Sequence, residues 1–526
     1  MTTGLHHVTA ITRNVQANVD FWMGFLGLSL VKQTAGFEDA AQLHLFYGDA
    51  QGCHGTLVSF LVWQDGAAGR VGHGQVAEIA LAVPRLRMGD WLTRALQHGV
   101  AVQGPLRHLG DTVLRLKDPD GIMVTLVGRD LPDDGWPAAP VRLAGVTLWS
   151  EDPAATAAFL GPFGYHRGTV AEGITRLVSD SDHLDIRDAG GFVPGIPGTG
   201  TIDHVALRMP DVDAIRAHQA RLADTTLHDR RYFTSLYIRE PAGTLIELAT
   251  DGPGMAVDED HPGSTLTVPP HFDDTIDLRL HLPQFARPGE ERTPMRDLPF
   301  THRLHQPEDP DGSAMILLHG TGGSETDLMP LAHRIAPRAR LLGLRGRSTE
   351  EGVARFFRRL SMDRFDQDDI RAEAAAFAEF WTGAIASYGL DPARLTVLGY
   401  SNGANFAAAV MGLHPGLIRR AILLRPMLAL QDPPSVDLTG VQVLGLQGAR
   451  DPYGVHAPAL QVWLDSTGAE ARMLRVDAGH ELAAEDLRLA SEWLASLPAS
   501  DHAKAGAPGV GQDLSGAVGG GDHDLH

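Results

Sequence analysis

The first half of the chain repeats itself four times, and that repetition restricts the possible fold more than any other feature. Each copy opens on a short strand, beginning near Leu5, Val76, Leu143 and Ile202. Each continues into a predicted amphipathic helix, over Val15–Leu26, Leu86–His98, Pro153–Leu160 and Val212–Leu222. Further strand-like runs follow before the next copy. A spacing of about 60–70 residues is too long for a solenoid repeat, so each copy reads as a βαβββ module. Paired modules of this kind close into cupped sheets around a central cleft.

Chemistry enters through the fourth copy. Alternate residues of a strand share a face, so His204, Ala206 and Arg208 point one way, and Val205, Leu207 and Met209 the other. The run Gly243-Thr-Leu-Ile-Glu-Leu sorts likewise, setting Leu245, Glu247 and Ala249 against Thr244, Ile246 and Leu248. Aligning the copies places His204 opposite His7 in copy one, Glu78 in copy two and Gly145 in copy three. The Glu247 position becomes Ser59 and Thr125 in copies one and two, and copy three ends too irregularly to align. With 25 histidines present, any single one is more often a surface or satisfied core residue than a ligand. Chance has to hit equivalent strand positions in different copies to produce the trio His7, His204 and Glu247. Two imidazoles and a carboxylate, with coordination positions left open, suit a non-haem Fe(II) centre, with Mn(II) as the alternative ion. Glu78 stands apart from other ligand types and reads as structural.

Bulk properties narrow the partners. The chain of 526 residues has room for two or three domains. A net charge of −21 argues against nucleic acid or an anionic membrane surface. The single cysteine, Cys53, excludes an internal disulfide, fits a reducing compartment and is expected to be a buried small hydrophobe. No basic start followed by an apolar run and no membrane-length apolar stretch is present, so a cytoplasmic location is expected.

Gly4-Leu-His-His-Val-Thr-Ala, the Asn18-Val-Asp-Phe-Trp helix and Leu43-His-Leu-Phe-Tyr-Gly-Asp resemble the vicinal oxygen chelate (glyoxalase/bleomycin-resistance) superfamily. Within it the likeness is to hydroquinone-type ring-cleaving dioxygenases. It covers roughly residues 1–285 and includes Arg231-Tyr-Phe-Thr-Ser-Leu-Tyr-Ile-Arg-Glu-Pro and the acidic Asp258-Glu-Asp-His segment. The resemblance implies iron held by His7, His204 and Glu247, with Tyr237 facing the substrate oxygen and His6 and Arg230 lining the pocket. It also implies extradiol-type cleavage of hydroquinone- or catechol-type aromatics by O2. Asp203 departs from the pattern, standing where close relatives can carry a second histidine.

Between Asp251 and Asp311 the chain turns rich in proline, glycine and charge, as in Pro269-Pro270 and Pro307-Glu-Asp-Pro-Asp-Gly312. This reads as the end of a first domain, 1–285, then a linker, 286–311. Beyond it, Ala314-Met-Ile-Leu-Leu-His-Gly-Thr-Gly-Gly and the apolar runs Leu341–Leu344, Leu395–Leu398, Ala421–Leu424 and Val441–Leu446 alternate with helical patterns. An α/β domain over 312–497 with a largely parallel sheet follows.

Gly399-Tyr-Ser401-Asn-Gly403 sits between a strand and an Ala-rich helix, the setting in which G-x-S-x-G forms a nucleophile elbow. An acid and a histidine follow in the order this fold demands, Asp451 after the Val441–Leu446 run and His480 before the last helix. His480 takes the Ser401 proton and Asp451 fixes its tautomer. Backbone N–H groups of Asn402 and Thr321 are the expected oxyanion donors. The rival acids Asp465 and Asp477 read as surface charges. Residues 314–497 resemble the phospholipase/carboxylesterase-type α/β-hydrolases, with Arg355-Phe-Phe-Arg-Arg-Leu also typical of that group. Little chain remains for a lid, so small esters, thioesters or lactones are the expected substrates.

The Gly-, Ala-, Asp- and His-rich stretch 498–526 is expected to be disordered. The whole reads as a bifunctional enzyme, a vicinal oxygen chelate fold followed by an α/β-hydrolase, with small-molecule aromatic and ester substrates and O2 as partners and neither nucleic acid nor membrane. Two rival readings of the first half remain. One is a glyoxalase-type lyase or isomerase, which in that superfamily uses four protein ligands; the other is a metal-free module that sequesters an aromatic toxin.

Overall fold

The computed structural model describes residues 4–132, 139–220, 225–259, 261–271, 276–292, 296–361 and 364–497. It divides into two compact units, Met1–Met295 and Arg296–His526. The stretch 498–526 lies outside the described residues, and no helix among those described is long and apolar enough to cross a membrane.

The four modules are present, and they pair in a nested order. Copies one and four share a nine-stranded sheet, and copies two and three an eight-stranded one. In the first sheet the leading strands Leu5–Thr12 and Ile202–Met209 run antiparallel; in the second, Gln75–Pro84 and Arg142–Ser150 do the same. Each leading strand is flanked on its other side by the last strand of its own module, running parallel: Leu57–Val62, Met123–Arg129, His183–Asp188 and Leu245–Pro253. A parallel partner cannot be reached through a hairpin, so each module needs its helical crossover.

Three of those helices start where a side chain can accept from an N–H of the first turn. Asn14, Asp152 and Asp211 bond the amides of Ala17, Ala155 and Ala214. The first helix, Val15–Val19, widens to π-type winding over Asp20–Phe25 and buries Phe21, Trp22 and Phe25. The second, Met88–Gln97, turns Met88, Trp91 and Ala95 inward, a stripe at helical spacing.

Register settles the alignment of the copies. Thr9 faces His204 in one sheet and Ala80 faces Gly145 in the other, so His7, Glu78, Gly145 and His204 are equivalent. The parallel pairs Thr9–Ser59, Ala80–Thr125, Thr147–Asp185 and Ala206–Glu247 complete the set. Asp185 is therefore the position in copy three that could not be placed from sequence.

The acidic segment after the fourth copy has a structural task. Lys32, fully buried, pairs with Asp258 at 2.7 Å and with Glu259, and its ammonium lies 4.8 Å from the Tyr232 ring centre. These contacts fasten the segment beside the sheet edge, where Leu266–Thr267 adds a last short strand against Ser29–Ala35.

The second unit holds a seven-stranded sheet in the order His302–His305, Arg340–Leu344, Ala314–Leu318, Leu395–Tyr400, Arg420–Leu424, Gln442–Gly448 and Glu470–Val476. All pairings are parallel except that of the first strand. That edge strand corrects the expected linker 286–311. His302–His305 belongs to the hydrolase sheet, and Phe300 just before it is buried in the hydrolase core. A short polar edge strand carries no apolar run, so composition alone reads it as linker.

Candidate active sites

In the first unit, His7, His204 and Glu247 meet. Glu247 Oε2 lies 3.0 Å from His7 Nε2 and 3.1 Å from His204 Nε2, and all three side chains are buried. One ligand atom from each lies within 4.8 Å of the others. Among the described residues, both Glu247 oxygens and His204 Nε2 lack an aligned hydrogen-bond partner despite the short separations. Burial alone would raise the Glu247 pKa, but His7 and His204 hold it well below the usual carboxylate range. A buried carboxylate without aligned donors is costly unless a cation sits against it. The residues present thus fit a divalent ion with open coordination positions.

The outer nitrogens of the two imidazoles are also fixed. His204 Nδ1 lies 2.7 Å from Asp203 Oδ2, and His7 Nδ1 lies 2.8 Å from His6 Nδ1. Asp203 and His6 hold matching positions, one residue before each ligand, and both leave Nε2 for the ion. This accounts for the departure at Asp203. A carboxylate does for His204 what an imidazole does for His7.

Above the trio lies a cavity of about 310 Å³ with largely apolar walls that include Phe37, Phe46 and Phe233. Tyr237 and Arg230 line it, as the resemblance implies. Burial, then the charge of Glu247, pushes the Tyr237 hydroxyl far above the ordinary phenol range. The Arg230 guanidinium lies 5.5 Å from the Tyr237 ring centre and 3.2 Å from Glu38. His6 does not line this cavity. It faces a separate one with His54, Asp251 and Cys53, because its ring is turned back against His7. Cys53 itself is exposed, contrary to expectation, since it sits in the turn between Leu43–Gly48 and Leu57–Val62.

One pocket residue escaped sequence reading. His44 lines the cavity, bonds Ser59 Oγ at 3.0 Å, and is lowered to about 3 by burial and by His7 and His204. It is therefore a neutral imidazole. Its signal was a polar side chain inside the apolar run Leu43-His-Leu-Phe-Tyr.

The second sheet repeats the scaffold without the ligands. Arg176 stands opposite Asp185 as Tyr237 stands opposite Glu247. Its guanidinium grips both Asp185 oxygens at 2.7 and 2.8 Å and reaches Asp111 at 2.7 Å. Glu78 bonds Thr125, in keeping with a structural role.

In the second unit the chain turns sharply at Ser401, whose φ of +50° lies in the left-handed region. The flanking glycines are required by close approach. A Cβ on Gly399 would meet Ala404 backbone at 2.7 Å, and one on Gly403 would meet the Leu318 carbonyl at 2.0 Å. His480 Nε2 lies 2.9 Å from Ser401 Oγ, and its Nδ1 lies 2.9 Å from Asp451 Oδ2. Thr321 and Asn402 face the same cavity of about 260 Å³. Their side chains are tied down: Arg355 donates to Thr321 Oγ1 at 2.7 Å, and the Phe356 N–H donates to Asn402 Oδ1 at 2.8 Å. Asp465 and Asp477 are exposed, bonded to Gln461 and Arg450.

Arg425 holds the histidine loop. It donates to the carbonyls of Gly479 and Glu481 at 3.0 and 2.7 Å and forms a two-pronged pair with Asp486, both side chains fully buried. Removing one partner strands the other charge. Arg425→Met is expected to destabilise the second unit by about 3–5 kcal/mol, read as an earlier urea transition of the full chain tracked by lost ester hydrolysis. Arg425→Met with Asp486→Leu should recover most of that loss.

These geometries define a buried two-histidine, one-carboxylate basin in a duplicated βαβββ fold, and an α/β-hydrolase fold in which Ser401, His480 and Asp451 lie in hydrogen-bonding order. A model of the Glyoxalase/Bleomycin resistance protein/Dioxygenase superfamily matches residues 4–126. The chain is 32% identical over 326 residues to a candidate ring-cleaving dioxygenase, MhqO of Bacillus subtilis (strain 168), covering 57% of this chain and 98% of the relative. It is 28% identical over 307 residues to the chlorohydroquinone/hydroquinone 1,2-dioxygenase of Sphingobium indicum, covering 53% and 94%. A candidate hydrolase of the same Bacillus, MhqD, is 36% identical over 183 residues, 34% of this chain and 92% of the relative. The chain belongs to the glyoxalase/bleomycin resistance protein/dioxygenase superfamily and carries an α/β-hydrolase as its second unit.

Proposed function

We propose that the protein is bifunctional: an Fe(II)-dependent ring-cleaving dioxygenase for hydroquinone- or catechol-type aromatics, joined to a carboxylesterase for small esters, thioesters or lactones. The observation that carries the first activity is the convergence of His7, His204 and Glu247 beneath a cavity walled by aromatic side chains. Iron(II) held by these three would supply the redox chemistry that allows O2 to attack a phenolic ring. The residues around it do the rest. Phe37, Phe46 and Phe233 exclude water and sandwich a flat ring. Arg230 supplies positive charge toward a phenolate, and the protonated Tyr237 hydroxyl donates to the substrate oxygen. The name of the Sphingobium relative supports cleavage beside a hydroxyl-bearing carbon of a hydroquinone; the extradiol type fits catechols in the same pocket.

The glyoxalase-type alternative finds less support. The position that would supply a fourth ligand is Ser59, already bonded to Thr9 and His44. Anaerobic reconstitution with Fe(II), followed by an oxygen-electrode screen of hydroquinones and catechols, tests the reading. Oxygen uptake that needs added Fe(II) supports it, and turnover undiminished by rigorous chelation overturns it. Tyr237→Phe is expected to lower kcat for oxygen uptake about 10²-fold, the scale of a lost proton donor, with a smaller change in KM.

In the hydrolase, Ser401 Oγ attacks the ester carbonyl while its proton passes to His480 Nε2. The alkoxide leaves with that proton, and water activated by His480 then releases the acid and regenerates Ser401.

A further inference from the structure

The two residues whose N–H groups are assigned to the oxyanion are held in unequal ways. Asn402 is buried and opens the helix Asn402–Leu413, so the helix itself fixes its amide. Thr321 is exposed, with glycine on both sides, and Gly322 has a φ of +81°. Packing does not set the place of that turn, so bonds from outside it must. They come from three consecutive residues. The Gly322 N–H donates to the Ala354 carbonyl at 2.9 Å, Arg355 Nη1 to Thr321 Oγ1 at 2.7 Å, and the Phe356 N–H to Asn402 Oδ1 at 2.8 Å. Arg355 is itself held. It is buried, its Nε donates to the Phe357 carbonyl at 3.2 Å, and its Nη1 lies 3.3 Å from Glu350 Oε2. Its backbone lies so close to Gly346 that a Cβ there would meet the Arg355 carbonyl at 2.3 Å. The Gly346 N–H in turn donates at 2.9 Å to Nε2 of His319, two residues before Thr321. The guanidinium is a fixed point from which an exposed turn can be aimed.

We infer that Arg355 is a positioning residue for ester hydrolysis, aiming the Thr321 N–H at the developing oxyanion through its bond to Thr321 Oγ1. This rests on the serine-hydrolase reading above. A donor held in place before reaction favours the transition state over the bound ester, so its loosening shows in kcat rather than in KM.

The test uses the full-length protein, 4-nitrophenyl hexanoate as substrate and 1,1,1-trifluoroheptan-2-one as inhibitor. Ser401 Oγ adds to the ketone carbon, its proton passes to His480 Nε2, and the carbonyl π electrons move to oxygen, giving the oxyanion with no leaving group. Arg355→Met removes the donor, and Thr321→Val removes the acceptor while keeping its shape. Each should lower kcat about 30-fold, less than the roughly 10²–10³ of a deleted oxyanion donor, and weaken the ketone by a similar factor. KM should move less than about threefold. The double variant should lose no more than either single one, because both act through one bond. Arg355→Lys should restore part of kcat, and Thr321→Ser, which keeps the acceptor, should stay near wild type. Losses that multiply in the double variant, wild-type kcat in Thr321→Val, or a change confined to KM with ketone inhibition unmoved overturns the inference and leaves the hydrolase intact. Should Arg355→Met fail to fold, Thr321→Val against Thr321→Ser probes the same bond. Ser401→Ala separates the two levels: if it still hydrolyses the ester at the wild-type rate, the hydrolase reading falls and the role of Arg355 with it.

Discussion

Glu247→Ala is expected to yield a protein that neither retains iron nor consumes oxygen with any hydroquinone, while its ester hydrolysis continues. Glu247 is the only anion of the trio, and its oxygens have no aligned hydrogen-bond partner among the described residues. Its removal leaves two imidazoles, too few to hold a labile first-row ion against buffer. The loss should exceed about 10³-fold in oxygen uptake, since neither neighbouring side chain can replace a ligand; changing a residue that merely hydrogen-bonds a ligand already costs about 10–100-fold. Iron content by elemental analysis, on protein shortened before residue 498 to remove the terminal histidines, is the decisive readout. A variant that keeps one equivalent of iron and normal oxygen uptake excludes Glu247 as a ligand.

Ser401→Ala should produce the mirror-image protein, with oxygen uptake intact and ester turnover lost by about 10⁴–10⁶-fold. What remains should reflect the oxyanion donors and binding alone. The triad is already assembled at 2.9 Å on both sides of His480, so no rearrangement is needed to complete it. Hydrolysis of 4-nitrophenyl hexanoate, followed beside oxygen uptake in the same preparation, measures both activities. Normal hydrolysis by the variant points to a nucleophile other than Ser401.

Legibility in the sequence followed physical rules that differ from residue to residue. The trio and the triad were readable because each is tied to a local pattern, a strand position repeated between copies or a strand–turn–helix with its glycines. Asp185 was not, because its strand lacks the Gly-led approach of the other copies and its register is set by pairing with Ile174–Val178 and Arg142–Ser150. The place of His6 could not be read either. Neighbouring strand residues usually diverge, but the pairing register shifts between Leu5 and His7, and the two imidazoles bond each other. His302–His305 was hidden for a third reason. An edge strand exchanges hydrogen bonds on one side only and can remain polar, so neither periodicity nor apolar content announces it.

The Arg176–Asp185 clasp bears on how the first unit relates to metal supply. Two basins descend from one design, but only one must be filled from outside. The other carries a covalently tethered counter-charge that cannot dissociate, be chelated or be exchanged for a wrong ion. Loss of an ion held by His7, His204 and Glu247 would therefore leave the Asp185 basin neutralised as before, while the Glu247 carboxylate would be left to its two imidazole neighbours.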